Sequence, residues 1–245
     1  MRIFVKLVGV AVLIAAVIMV SGGAAKTWAD SDCHGLPNAA TLKALLIGAG
    51  GNNAGGLFDG TRMWGAVVNR DGALCSLATS TGDPTDVWPG SRHIAIHKAH
   101  TANGFSLDSL ALSTARLYTF SQPGHSLFGL NVSNIFDTKC LGAPGSNKGL
   151  NQICAGVITF GGGVGLYKDG QIIGGLGVSG DTACADHEVA KRVRNNGGLN
   201  PPGGALVDDI TYSSADGASV FTHPLCFNTF RNGAFLGNEL PAVGY

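Results

Sequence analysis

No Cys-x-x-Cys pair occurs anywhere in the chain, so a thioredoxin-like redox centre, a zinc ribbon and covalent c-type haem attachment all lack their motif. Charge is scarce as well: only 13% of residues are Asp, Glu, Lys or Arg, and no basic excess exists to hold a polyanion. Nucleic acid is therefore excluded as a partner. No Gly-x-Ser-x-Gly elbow, Walker loop or His-Glu-x-x-His is present, which removes the commonest signatures of serine hydrolases, nucleotide hydrolases and zinc proteases. No internal repeat is visible. Aromatic residues make up only 7%, whereas glycine is frequent at 38 residues; that balance favours tight turns and close backbone packing over disorder.

The first residues have the three-part layout of a secretory signal: a basic start with Arg2 and Lys6, an apolar run from Leu7 to Val20, and small residues before Ala29. The run is shorter than the roughly 20 residues that span a bilayer, so residues 1–29 are read as a signal and not as a permanent membrane helix. Cleavage after Ala29 removes Arg2, Lys6 and Lys26 and no acid, leaving 13 basic against 16 acidic residues, a formal charge of −3. Residues 30–245 are then expected to form a single domain in the periplasm or outside the cell. All six cysteines, Cys33, Cys75, Cys140, Cys154, Cys184 and Cys226, follow the signal, and an even count in an exported chain points to three disulfides. Fifteen pairings are possible. Cys140 with Cys154, closing a short loop rich in Gly, Pro and Asn, is the first expectation.

A helix is expected over 37–48, with Leu42, Leu45 and Leu46 at helical spacing. Met63–Asn69 and Leu74–Thr79 read as a hairpin turning at Asp71-Gly72, and Val164–Lys168 and Gln171–Val178 as another turning at Asp169-Gly170. Ser91 is an N-cap candidate for a helix to Phe105, and a short helix is expected from Ser109 to Tyr118. Residues 121–155 form a long loop held by cysteines. Asp181 or Thr182 caps a helix to Asn196, in which the early Asp186 and Glu188 and the late Lys191, Arg192 and Arg194 suit the macrodipole. Strand-like pieces follow at Ile210–Tyr212 and Val220–Phe221. The pattern predicts an α+β fold, an antiparallel sheet with helices packed on one face.

On the helix from Ser91, Ile94, Ala95, Ala99, Ala102 and Phe105 share the core-facing arc, and His93, His97 and His100 fall nearly opposite. Three imidazoles there are candidate ligands for haem iron or another metal ion, with an ordinary polar histidine face as the alternative. His125, in the long loop, is a candidate distal ligand. Gly175-Leu-Gly177-Val-Ser-Gly180 matches the dinucleotide fingerprint formally, but its strand belongs to an Asp-Gly hairpin and no crossover unit follows, so close backbone packing is the better reading. Asp181 and Asp186 read as helix caps, and His187 as a core histidine.

Several stretches together resemble the GlcG/HbpS-like haem-binding family, which includes the C-terminal domain of PduO. They are Ala-Val-Val-Asn-Arg-Asp-Gly at 66–72, Ala-Ile-His-Lys-Ala-His-Thr-Ala at 95–102, Gly-Gly-Gly-Val at 161–164 and Asp-Gly-Gln-Ile-Ile-Gly-Gly-Leu-Gly-Val-Ser-Gly at 169–180. The chain departs from the family in reading Gly-Gly-Val-Gly-Leu at 162–166, in its six cysteines, in the loop 121–155 and in the extension 197–245. The resemblance, covering about 37–196, implies a profilin-like sheet, symmetric homo-oligomers, and haem or a related tetrapyrrole as ligand. It matches Lys98 to the family's lysine, a candidate partner for a haem propionate, with a solvated or subunit-contacting lysine as the alternative. The amides near Gly180, at the start of the following helix, are read from the residues as open to a carboxylate. The implied role is an exported haem-binding accessory protein. Two alternatives stay open: a haem-degrading or other small-molecule enzyme, and a ligand-free module whose loop and tail dock another exported protein.

Overall fold

The structure, a computed structural model, describes residues 33–241. The expected signal at 1–29 falls outside the described residues. Helix α1 (Ala39–Ala49) starts at Asn38, whose side chain accepts from the Thr41 amide. Strands β1 (Trp64–Asn69) and β2 (Leu74–Thr79) form the first hairpin, closed where the Gly72 amide donates to the Asn69 carbonyl. Helix α2 (Ser91–Phe105) follows. Gly90 holds its N-cap position without a side-chain cap, so Ser91 is the first helical residue and not the cap. The helix expected over 109–118 is absent. Two 3-10 turns, Thr114–Leu117 and Thr119–Ser121, stand there instead. The extended backbone at Ser113 breaks the run, and the hydroxyls of Ser113 and Thr114 donate to the distant carbonyls of Asp208 and Phe160.

The long loop contains the single-turn α3 (Leu130–Ser133). Strands β3 (Gly163–Lys168) and β4 (Gln171–Ser179) form the second hairpin, with Asp169 and Gly170 both at positive φ as a two-residue turn of this hand requires. Helix α4 (Ala183–Asn196) is capped by the Thr182 hydroxyl, which accepts from the Ala185 amide. Asp181 instead gathers the amides of Leu57, Phe58 and Thr182 on its carboxylate, pinning the 55–60 loop to the start of α4. After the short α5 (Ser213–Asp216), the extension forms a hairpin of β5 (Thr229–Arg231) and β6 (Ala234–Gly237). The strand-like pieces expected near 210–212 and 220–221 are reduced to one bridge between Thr211 and Thr222.

The four main strands run in the order β2-β1-β4-β3, every pair antiparallel. Alternation along the central strands supplies two cores. Val67, Leu176 and Val178 face α1 and α4, packing on Leu42, Leu46, Val189 and Val193. Trp64, Ala66 and Val68 face α2, packing on Ala95, Ile96 and Ala99. Helices thus cover both faces of the sheet, not one. The expectation of a single covered face failed because the side chains that β4 turns toward α2 are Gly175 and Gly177, which carry no apolar group to signal burial. A Cβ on Gly177 would lie 1.9 Å from the Ala95 carbonyl oxygen, and one on Gly175 2.2 Å from that of Ala99. The helix backbone rests directly on the strand.

Three disulfides join Cys33 to Cys75, Cys140 to Cys154 and Cys184 to Cys226. The last ties the extension to α4, as do buried ion pairs that leave this helix: Arg194 with Asp208 at 2.6 Å and Lys191 with Asp209 at 3.1 Å. Basic residues that the sequence assigned to the helix dipole are therefore buried clamps on the C-terminal segment. Glu188, also buried, holds Lys191 at 2.7 Å and Arg192 at 3.1 Å.

Candidate functional site

Because α2 lies flat on glycine, its opposite side is brought beneath the long loop. Arg92, fully buried, donates to the carbonyls of Cys140, Ser146 and Lys148 and so anchors that loop. The Cys140–Cys154 disulfide closes it. Phe136 from the loop packs at a tilt against His97, 4.3 Å between ring centroids, and meets His93 edge-on at 5.7 Å. Gly156, at φ +82°, passes over the His97 ring; a Cβ there would fall 2.6 Å from Cδ2, so only glycine allows this approach.

The histidine stripe is consequently half-buried beneath a cover. His93 Nε2 accepts from the Gly142 amide at 3.4 Å, and His100 Nδ1 lies 3.2 Å from the Gly156 carbonyl. His97 Nε2 is buried and has no hydrogen-bond partner. Burial, reinforced by the neighbouring His93 and His100, pushes the His97 pKa down to about 4. Burial also lowers His93, helped by Arg92, and lowers His100 against the opposing Gly156 contact. All three rings are neutral near pH 7, the form in which an imidazole ligates a metal. They do not share one ion, since His93 and His100 turn their nitrogens to the separate backbones of Gly142 and Gly156. Among the described residues, the three metal-ligating side chains whose ligand atoms lie within 4.8 Å of one another are Cys184, His223 and Cys226.

The other residues singled out in the sequence lie elsewhere. Lys98 is fully buried and turned inward, donating to Asp186 at 2.7 Å and to the Val178 carbonyl at 3.1 Å. The pair meets beside Gly162, where a Cβ would sit 2.7 Å from the ammonium. Gly180 packs against the Arg62 carbonyl, where a Cβ would fall 2.0 Å away. His125 is exposed, in a turn where its amide donates to the Gln122 carbonyl. His187 is buried and its Nε2 accepts from the Ile210 amide, as a core histidine does.

Phe136, Gly156 and Arg92 carry no sequence signal for this site, because their roles depend on where the loop lands. His223 did leave one: it stands three residues before Cys226. It is buried among Tyr118, Tyr212 and the disulfide, and burial pushes its pKa down to about 4. A cleft of about 350 Å³ lined by Tyr118, Phe160, His223, Cys226 and Glu239 opens beside it. Another cleft, of about 390 Å³, lies over Glu188, Lys191 and Asn232, whose polar groups are already spent on each other.

The depressed histidines set a pH dependence. In the unfolded chain each takes up a proton near pH 6.5, whereas the folded chain resists doing so until about pH 4. The unfolded state then binds more protons between these limits, so stability falls as the pH drops through that window. Asp186, raised by burial to about 6, works in the opposite sense over the same window, so the two histidines leave a net Tm lower by about 5 °C at pH 4.5 than at pH 7 in scanning calorimetry, allowing for screening at the partly exposed His97. His223→Gln should flatten the slope.

The family described as haem degrading protein HbpS-like matches residues 46–194. The corrinoid adenosyltransferase PduO of Salmonella typhimurium is 32% identical over 124 residues, 48% of this chain and 30% of that protein. The chain therefore spans less than a third of the length of this curated relative. Among solved structures, the PduOC:heme complex aligns with a TM-score of 0.44 at 24% identity, covering 63% of this chain and 87% of that one. A double mutant of Streptomyces reticuli HbpS aligns at 0.38 and 18% identity, covering 76% and 96%.

Proposed function

The chain belongs to the HbpS-like family of haem-degrading proteins, and from that premise we propose that it is an exported haem-binding accessory protein with His97 as the iron ligand. The observation that carries the proposal is the His97 Nε2 atom, buried without a partner on a ring held neutral by its surroundings. A buried polar atom left unpaired costs roughly 1–3 kcal/mol. Coordination to iron would remove that cost. The donor chemistry fits haem, for which one neutral imidazole is a sufficient axial ligand. Phe136 offers an aromatic neighbour on the same side. Bound haem supplies the redox chemistry of its iron; the chain supplies the ligand and controls access to it.

Access requires the loop over His97 to move, since Gly156 closes over the ring. The cover has an outer surface with Val132 and Ile135 more than 80% exposed. This apolar exposure supports association of copies of the chain. Lys98, His125 and Gly180 stand outside the proposal, because Lys98 is turned inward onto Asp186, His125 lies in an exposed turn and Gly180 packs on the Arg62 carbonyl. Export is supported by three disulfides that use every cysteine, as expected of an oxidising compartment. Among the described residues no helix is long and apolar enough to cross a membrane.

Titration with hemin at pH 7 is the test. The wild type should saturate near one hemin per chain with a shifted Soret band, and His97→Ala should bind at least tenfold more weakly, a loss of about 1.4 kcal/mol or more. Absence of any Soret shift, or equal binding by the variant, would sink the proposal.

A further inference from the structure

We propose that Cys184, Cys226 and His223 form a reduction-gated site for zinc, closed as a disulfide under oxidising conditions and able to take the ion once a dithiol reductant opens it. This site is separate from the covered α2 histidines and does not rest on the haem reading. The two sulfurs and one ring nitrogen of His223 lie within 4.8 Å of one another, and all three residues are buried. Thiolates held at about 2.3 Å by a tetrahedral ion sit roughly 3.7 Å apart, so the two sulfurs part around the ion once their bond is broken. Neither of the other two disulfides belongs to such a group among the described residues.

The surroundings are arranged for thiolate and imidazole ligands. Cys184 is the second residue of α4, and its amide donates to Cys226 Sγ at 3.2 Å. An amide and a helix N-terminus both favour negative sulfur. The His223 ring is fixed from both nitrogens: Nδ1 donates to the Pro224 carbonyl at 2.7 Å, and Nε2 accepts from the Gly161 amide at 3.3 Å. An ion taken by one ring nitrogen would replace one of these two contacts, and the other would keep the ring oriented, as is usual for a metal-bound histidine. The cleft beside Cys226, about 350 Å³ in volume, leaves room for water at the fourth position. Three protein ligands with one open position are the pattern of reactive, not purely structural, zinc.

Two thiols of the reductant give two electrons and two protons to the Cys184–Cys226 bond, which breaks into two cysteine thiols while the reductant becomes a disulfide. Zinc then displaces both thiol protons and changes no oxidation state.

The experiment uses the full chain reduced with a phosphine, titrated with Zn²⁺ against a chromophoric chelator, and then alkylated with iodoacetamide for mapping by mass spectrometry. One zinc per reduced chain is expected, with none on the oxidised protein at the same concentration. Zinc should slow alkylation of Cys184 and Cys226 at least tenfold and leave Cys33, Cys75, Cys140 and Cys154 unprotected, and His223→Gln should weaken binding by about 10- to 100-fold. The proposal is overturned if the reduced chain takes up no zinc, if zinc protects all six cysteines alike as an unfolded chain would show, or if His223→Gln binds as tightly as the wild type.

Discussion

Asp186→Ala is expected to lose about 3–5 kcal/mol of stability in urea or guanidinium unfolding, because it strands the Lys98 ammonium in the interior. Lys98 is fully buried and Asp186 is 1% exposed, and the two meet at 2.7 Å. Burial pushes the Asp186 carboxyl up to about 6, against the pull of the ammonium beside it. Desolvation is therefore the larger influence, and the pair as a whole contributes less than the loss of one partner suggests. Lys98→Met combined with Asp186→Leu should accordingly recover most of the deficit. If the single and double variants were equally destabilised, the cost would belong to packing beside Gly162 and not to an uncompensated charge. In Tm the single variant should fall by about 10 °C or more, at roughly 2–4 °C per kcal/mol for a chain of this size.

The second large effect is expected from Gly177→Ala. Its new Cβ has the Ala95 carbonyl oxygen at 1.9 Å and the Ala99 amide nitrogen at 2.5 Å, both backbone atoms that no side-chain rotation moves. Relief requires α2 to lift off the sheet. Overpacking usually costs about 1–3 kcal/mol, and backbone on both sides of the contact places this case at the upper end or beyond. Because α2 carries His97, the same substitution should also weaken hemin binding. Gly170→Ala is the control: it sits in a turn with nothing near its Cβ position, so only the strain of φ +80° applies. Gly177→Ala as stable as that control would mean that α2 does not rest on β4.

The two hairpins, α1, α2 and α4 were legible because their signals are local. Asp-Gly turns fix the hairpins, and leucines at helical spacing mark α1. The resemblance in the 161–180 stretch has a steric basis, since Gly162, Gly175 and Gly177 stand where α2, β4 and the Lys98–Asp186 pair crowd together. The second covered face was not legible, because a helix seated on glycine leaves no apolar pattern in the strand. The hairpin of the extension was legible and overlooked: Asn232-Gly233, both at positive φ, is a strong two-residue turn signal between Phe230 and Phe235. Ser109–Tyr118 misled for the opposite reason. Its hydroxyls bond to backbone far along the chain, at Asp208 and Phe160, and tertiary partners outweigh helical propensity there.

For the site, the α2 stripe was visible as spacing, but its chemistry was not. Spacing placed three imidazoles on one side of a helix; the loop decided that His93 and His100 would be engaged by Gly142 and Gly156, leaving the His97 Nε2 unpaired. A Gly at 156 and a Phe at 136 acquire meaning only once Arg92 and the Cys140–Cys154 disulfide have set the path of the loop.

The most direct test of His97 as iron ligand is a change of ligand in place. His97→Cys, His93→Cys and His100→Cys are each loaded with ferric haem, and their absorption and electron paramagnetic resonance spectra are compared with those of the wild type. A thiolate-type Soret band and altered spin state in His97→Cys alone are what the account predicts. A wild-type spectrum from His97→Cys, or the change appearing at His93 or His100 instead, would contradict it.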